Sequence, residues 1–171
     1  APLNLSLVLQ QVTIIAVLGI AQTLIILTAG IDLSVGAIMV LSSIVMGRLA
    51  VESGVPVYLA FPIGLLTGIA CGWLNGVLVT KLRLPPFIVT LGTWQIFLAA
   101  NFLYSANETI RSQDIEAQAP ILQLFGASIR VGGAVLTFGA IVMVVLVLAL
   151  WYVLNHTAWG RHVYAIGDDP D

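Results

Sequence analysis

Charge is what this chain has least of: only 8% of its 171 residues are Asp, Glu, Lys or Arg. Soluble globular domains carry nearer a quarter, so an ordinary water-soluble enzyme is excluded. Six basic residues against eight acidic ones leave a net charge of −2, which is no footprint for nucleic acid. The one cysteine, Cys71, sits among apolar neighbours and has no partner for an internal disulfide. These residues contain no Gly-x4-Gly-Lys-Ser/Thr loop to cradle ATP phosphates, no Gly-x-Ser-x-Gly elbow and no paired catalytic acids. His156 and His162 have no further ligand beside them, so no metal site and no cofactor are expected. No basic stretch with a small-residue cleavage site opens the chain, so no signal peptide is read. The opening on Ala1, where Met would stand, points to a true start further upstream.

What is abundant is apolar side chain, 60% of the residues, with a mean hydropathy of +1.08. A helix needs roughly 20 apolar residues to cross about 30 Å of hydrocarbon. Stretches free of charge run over Leu7–Ala29 (23 residues), Leu33–Gly47 (15), Val55–Thr80 (26), Leu84–Asn107 (24) and Val131–His156 (26). Arg48 can snorkel, which extends the second stretch to about Val51. With no water in the bilayer core these runs must satisfy their own backbones, and the alternation of a membrane barrel is absent. The expected fold is all-α, a polytopic transmembrane bundle of about five spans. Residues 106–132 are expected as an external loop and 155–171 as a cytoplasmic segment. Basic residues split evenly: Arg48, Arg111 and Arg130 on one side, Lys81, Arg83 and Arg161 on the other. The very short loop holding Lys81 and Arg83 tips the balance and places that side in the cytoplasm.

Polar residues inside the spans are the candidates for function. In the third run Gly64, Gly68, Gly72 and Gly76 repeat every four residues and offer a stripe for close helix packing or a ligand wall. Asn75 beside them bonds a neighbouring helix or a solute, and Pro62 predicts a kink. Gln22, deep in the first run, is either glue between helices or part of a wet pathway. In Thr28–Gly36 the residue Gly30 is suited to end one helix, and Asp32 or Ser34 to cap the next. The same stretch also fits a helix break beside a transport route. The fourth run opens on Pro85 and Pro86 and carries Thr90, Thr93, Trp94, Gln95 and Asn101. Amides, hydroxyls and one aromatic ring are what a sugar path uses, because hydroxyls need hydrogen bonds and the C–H face of a sugar needs apolar contact.

Beyond the last run, Gly160 and Gly167 bracket a short amphipathic stretch with Arg161, Val163, Tyr164 and Ile166. It suits docking to a soluble partner, or anchorage in the headgroups through Trp159 and Tyr164.

Three segments, Leu27–Ala37, Lys81–Thr93 and Thr157–Pro170, resemble the ribose/arabinose/xylose-type permeases, the membrane subunits of bacterial ABC sugar importers. They occur in that family's order, and the resemblance runs along essentially the whole chain. Ser105–Asp114 and the ending Gly167-Asp168-Asp169-Pro170 are most like the family's fructose-transporting members. The resemblance implies a multi-pass protein of the bacterial inner membrane that translocates a monosaccharide, fructose or a ribose-like sugar, without being an enzyme itself. It implies a separate ABC ATPase subunit, a periplasmic sugar-binding protein, a second permease copy forming a homodimer and a surrounding of membrane lipid, with no nucleic acid. It places ATPase coupling on Trp159, Gly160, Arg161, Gly167, Asp168 and Asp169, and implies that 1–171 is a fragment of one longer permease domain. Gln22, Asp32, Asn75, Thr90, Thr93, Trp94, Gln95 and Asn101 are then pathway candidates. The competing reading is a self-sufficient secondary transporter or channel, for which Asp32 is the only available intramembrane carboxylate.

Overall fold

A computed structural model describes residues 2–131 and 134–168. The described residues are mainly helical: α1 (Pro2–Leu27), α2 (Val35–Val51), α3 (Val57–Thr80), α4 (Pro86–Ser105), α5 (Ser112–Gln118), α6 (Phe138–His156) and α7 (Ala158–Asp168). Four helical stretches are long and apolar enough to cross a membrane: Ser6–Leu27, Val57–Thr80, Pro86–Ser105 and Phe138–His156. The shorter apolar helix α2 has 17 residues, a rise of about 26 Å. The chain is an all-α multi-pass membrane protein with one small exception. Strands β1 (Ser128–Val131) and β2 (Ala134–Thr137) pair antiparallel, Ser128 opposite Thr137 and Val131 opposite Ala134. The charge-free run expected as helix from Val131 is therefore helical only from Phe138. The segment 106–132, expected as a loop, contains α5, a 3-10 segment (Pro120–Gly126) and β1.

The chain divides into two compact units. The first comprises residues 1–31 and 124–171. Here α1 and α6 run parallel: the start of α6 at Gly139 lies by Thr13, and further along Ala16–Thr23 and Val147–Asn155 line one groove of about 450 Å³. The hairpin is held against the beginning of α1. Ser6 Oγ accepts from the Val135 amide at 2.8 Å, and Gln10 donates to the Val135 carbonyl at 3.5 Å. These two side chains satisfy the Val135 amide and carbonyl. Helix α1 ends in a paired cap: Gly30 N–H bonds Ile25 O at 2.9 Å and Ala29 N–H bonds Ile26 O at 3.0 Å. The left-handed residue of that cap is Ala29, at φ 56°, where the sequence had pointed to Gly30.

The second unit comprises residues 32–123. Helix α2 packs against both α3 and α4 around Ala37, Leu41, Cys71 and Phe97. At its other end Ala50, Val51, Ala60 and Ala119 form a second cluster, onto which Ile115 of α5 and Leu122 pack. Prolines set the helix starts, Pro56 before α3 and Pro85–Pro86 at α4, while α3 continues as helix through Pro62. Arg48 fastens the Ala50 end. It bonds Glu52 at 2.5 Å, donates to the Tyr104 carbonyl and lies over the Tyr104 ring.

Candidate functional site

Both units carry candidate residues. In the first most lie on α7, which leaves α6 through Thr157. The Thr157 hydroxyl donates to the Val153 carbonyl at 2.6 Å and accepts from Gly160 N–H at 3.2 Å. One side chain thus closes α6 and caps α7, since Gly160 is the third residue of the new helix. The two glycines read as brackets lie inside α7. A Cβ at Gly160 would collide with the Leu154 backbone, and one at Gly167 with the Leu27 carbonyl oxygen. Gly160, Val163 and Gly167 make the inward face, with Val163 only 6% exposed. Trp159, Arg161, His162, Tyr164 and Ile166 are all exposed. So α7 lies across the C-terminal ends of α1 and α6, its glycines against their backbones and a mixed aromatic and basic set turned outward. Of the coupling candidates, Asp168 ends the helix and Asp169 lies outside the described residues. Gln22 is half-buried on α1.

In the second unit the polar candidates separate into two groups. Asp32 Oδ1 accepts from both the amide and the hydroxyl of Ser34, each at 2.7 Å, and Ser34 Oγ accepts from Asn75 Nδ2 at 2.8 Å. Ser34 is fully buried and stands at the N-cap of α2, but its side chain turns to Asp32 and Asn75 and leaves the helix amides alone. The chain Asp32–Ser34–Asn75 ties the entry of α2 to α3. Thr90 and Thr93 are buried and bond backward within α4, to Pro86 O at 2.9 Å and Thr90 O at 3.5 Å. Asn101 is buried one turn beyond Phe97. Asn75 Oδ1 and Asn101 Oδ1 are buried acceptors without a hydrogen-bond partner among the described residues.

Trp94 and Gln95 form the other group. Side chains two apart on a helix point about 200° apart, so Gln95 is nearly opposite Thr93. It is exposed, as are Leu91, Gly92 and Ala99 around it, and Trp94 is 38% exposed. Sequence spacing gave all five polar positions of α4 equal standing; burial divides them three to two.

The glycine repeat divides as well. A Cβ at Gly64 would stand 2.8 Å from Met46 Cβ, and one at Gly68 2.9 Å from Ser42 Oγ, whereas Gly72 and Gly76 have nothing within 4 Å. Elsewhere in this unit Val51, Glu52, Glu108, Thr109, Ile110, Arg111 and Asp114 line a cavity of about 380 Å³, which sequence reading did not single out.

Four helices long and apolar enough to cross a membrane, with the shorter apolar α2, place the chain in the class of multi-pass membrane proteins. Residues 4–171 match the family described as branched-chain amino acid transport system / permease component, and the chain belongs to it. Among proteins, it is 64% identical over 168 residues to the fructose import permease protein FrcC of Rhizobium meliloti, covering 98% of this chain and 47% of FrcC. It is 39% identical over 166 residues to the ribose import permease protein RbsC of Bacillus subtilis strain 168, covering 97% of this chain and 49% of that one. It is 36% identical over 155 residues to the fructose import permease protein FruG of Bifidobacterium longum, covering 88% and 45%. The chain spans about half the length of these relatives. No solved structure matches it.

Proposed function

We propose that this chain belongs to the translocating subunit of an ATP-binding-cassette importer of the bacterial inner membrane, and that its cargo is a neutral monosaccharide, fructose first among them. A separate ATPase subunit hydrolyses ATP, a periplasmic binding protein delivers the sugar, and a second permease copy completes the pore. The observation that carries this reading is α7. A helix fixed by backbone contact to the ends of two spans, with Trp159, Arg161, His162, Tyr164 and Ile166 turned outward, suits transmission of force from a soluble partner. The residues 155–171 are then the cytoplasmic coupling segment and 106–132 face the periplasm. The names of these relatives, fructose and ribose import permeases, support the choice of sugar.

The ion-coupled alternative is disfavoured by Asp32, whose carboxylate is held in the turn by the Ser34 amide and hydroxyl. The test uses the full-length permease with its candidate ATPase in membranes. Sugar-loaded binding protein is expected to raise ATP hydrolysis, and the two subunits are expected to co-purify. Arg161→Glu reverses a charge on the exposed face of α7 and is expected to weaken co-purification about tenfold, while membrane insertion holds. Unchanged association in that variant removes α7 as the coupling element. Sugar uptake that survives ATP depletion removes the importer reading altogether.

A further inference from the structure

The bonds around Ser34 have a direction. A carboxylate can only accept, so the single hydroxyl proton of Ser34 goes to Asp32 Oδ1 at 2.7 Å. The Ser34 oxygen is left to accept, and it takes Asn75 Nδ2 at 2.8 Å. Asp32 therefore decides which end of the Asn75 amide faces Ser34: the NH2 group turns to the hydroxyl and Oδ1 turns away. Ser34 is fully buried and Asn75 is 6% exposed, so water does not compete for the bond between them. Without Asp32 the hydroxyl proton has no fixed acceptor, and the Ser34–Asn75 bond loses its sense. The position of these bonds along the chain gives them a use. Gly167 seats α7 on the Leu27 carbonyl, at the end of α1. The amides of Thr28, Ala29 and Gly30 are bonded back to Ile25 and Ile26, so only Ile31 separates that cap from Asp32. A displacement of the α1 end thus travels along a bonded cap and one further residue to Asp32, and from there through Ser34 to Asn75 of α3.

We infer that Asp32 is a positioning residue of the transport cycle: acting through Ser34 on Asn75, it passes movement of the α1 end on to α3. It does so as a hydrogen-bond acceptor and not by its charge. The inference rests on the importer reading for the movement, and the bonding itself is testable without it.

The experiment uses full-length permease in proteoliposomes with its ATPase and sugar-loaded binding protein, and reads D-fructose taken up per ATP hydrolysed. Asp32→Ala and Asn75→Ala are each expected to lower that ratio about tenfold. A mere loss of folded protein leaves the ratio unchanged, because uptake and stimulated hydrolysis then fall together. Asp32→Asn, which keeps an oxygen for the Ser34 amide and hydroxyl, is expected to stay within about twofold of the wild type. The double variant Asp32→Ala/Asn75→Ala is expected to do no worse than either single one, since both break the same chain of bonds. A normal ratio in Asp32→Ala overturns the inference, and so do losses that multiply in the double variant. A loss in Asp32→Asn as large as in Asp32→Ala assigns the role to the charge and overturns it too. Wild-type protein without ATP-dependent uptake defeats the importer reading alone. Melting temperatures of the purified single and double variants then decide the bonding: losses that do not add support one chain of bonds, and additive losses overturn it.

Discussion

At the scale of single residues, rotation about the helix axis decides what a side chain does. A helix turns about 100° per residue, so a strict four-residue repeat drifts 40° at each step and about 120° from Gly64 to Gly76. That drift carries Gly72 and Gly76 off the seam that Gly64 and Gly68 share with α2. The seam itself mixes one step of three with steps of four through Ala60, Gly64, Gly68, Cys71 and Asn75, and so stays on one face. Gly64→Ala is therefore expected to cost about 1–3 kcal/mol, because Met46 Cβ and Ser42 O must give way. Gly72→Ala, which meets open space, is expected to be neutral or to stabilise by up to about 1 kcal/mol through helix propensity. Thermal melting of the two purified variants checks both. Equal losses would place another helix against Gly72.

At the scale of elements, the long runs and the amphipathic stretch of α7 were legible, and the short pieces between α4 and α6 were not. Scarcity of charge marked all the apolar helices because burial in lipid is a demand on composition, which a count detects. The hairpin was missed although its signal was present. Ser-Ile-Arg-Val and Ala-Val-Leu-Thr flank Gly132-Gly133, a β-rich pair around a glycine dipeptide, and the apolar count absorbed the second half into the following span. Which polar residues of α4 face outward was also beyond the sequence, because that depends on where α2 packs. Thr157 shows how much one hydroxyl contributes to an element. Thr157→Ala removes the cap of α7 and the closing bond of α6 together, at a cost of about 1 kcal/mol. Amide exchange across α7 is expected to quicken roughly fivefold in that variant, with the middle of α6 unchanged. Uniform quickening through both helices would show a global loss of stability instead.

At the scale of the whole molecule, the contacts of α7 fix the parity of the membrane crossings. The C-terminal ends of α1 and α6 both meet α7, so these two helices leave the bilayer on the same side. A chain that exits through α1 and exits again through α6 on that side must cross an odd number of times in between. Helices α3 and α4 are long and apolar enough for two crossings, which leaves the shorter apolar α2 to supply the third. Ser53→Cys and Leu82→Cys, made in the full-length protein with Cys71 replaced by Ala, are accordingly expected to react with a membrane-impermeant maleimide from opposite sides. Ser53 is expected to react in intact cells and Leu82 only after permeabilisation. Reaction of both from one side would mean that α3 does not cross, and would break this count of crossings.

Backbone-to-backbone seating has a mechanical consequence. Where side chains separate two helices, a push on one is first taken up by rotamer changes, and the motion is diluted before it reaches the other. At Gly160 and Gly167 no side chain intervenes, so α7 bears directly on the Leu154 and Leu27 backbones. In the importer reading this makes α7 a lever without backlash: a small tilt imposed from below becomes an equal tilt of two spans, and bulk added at either glycine would put slack into the stroke.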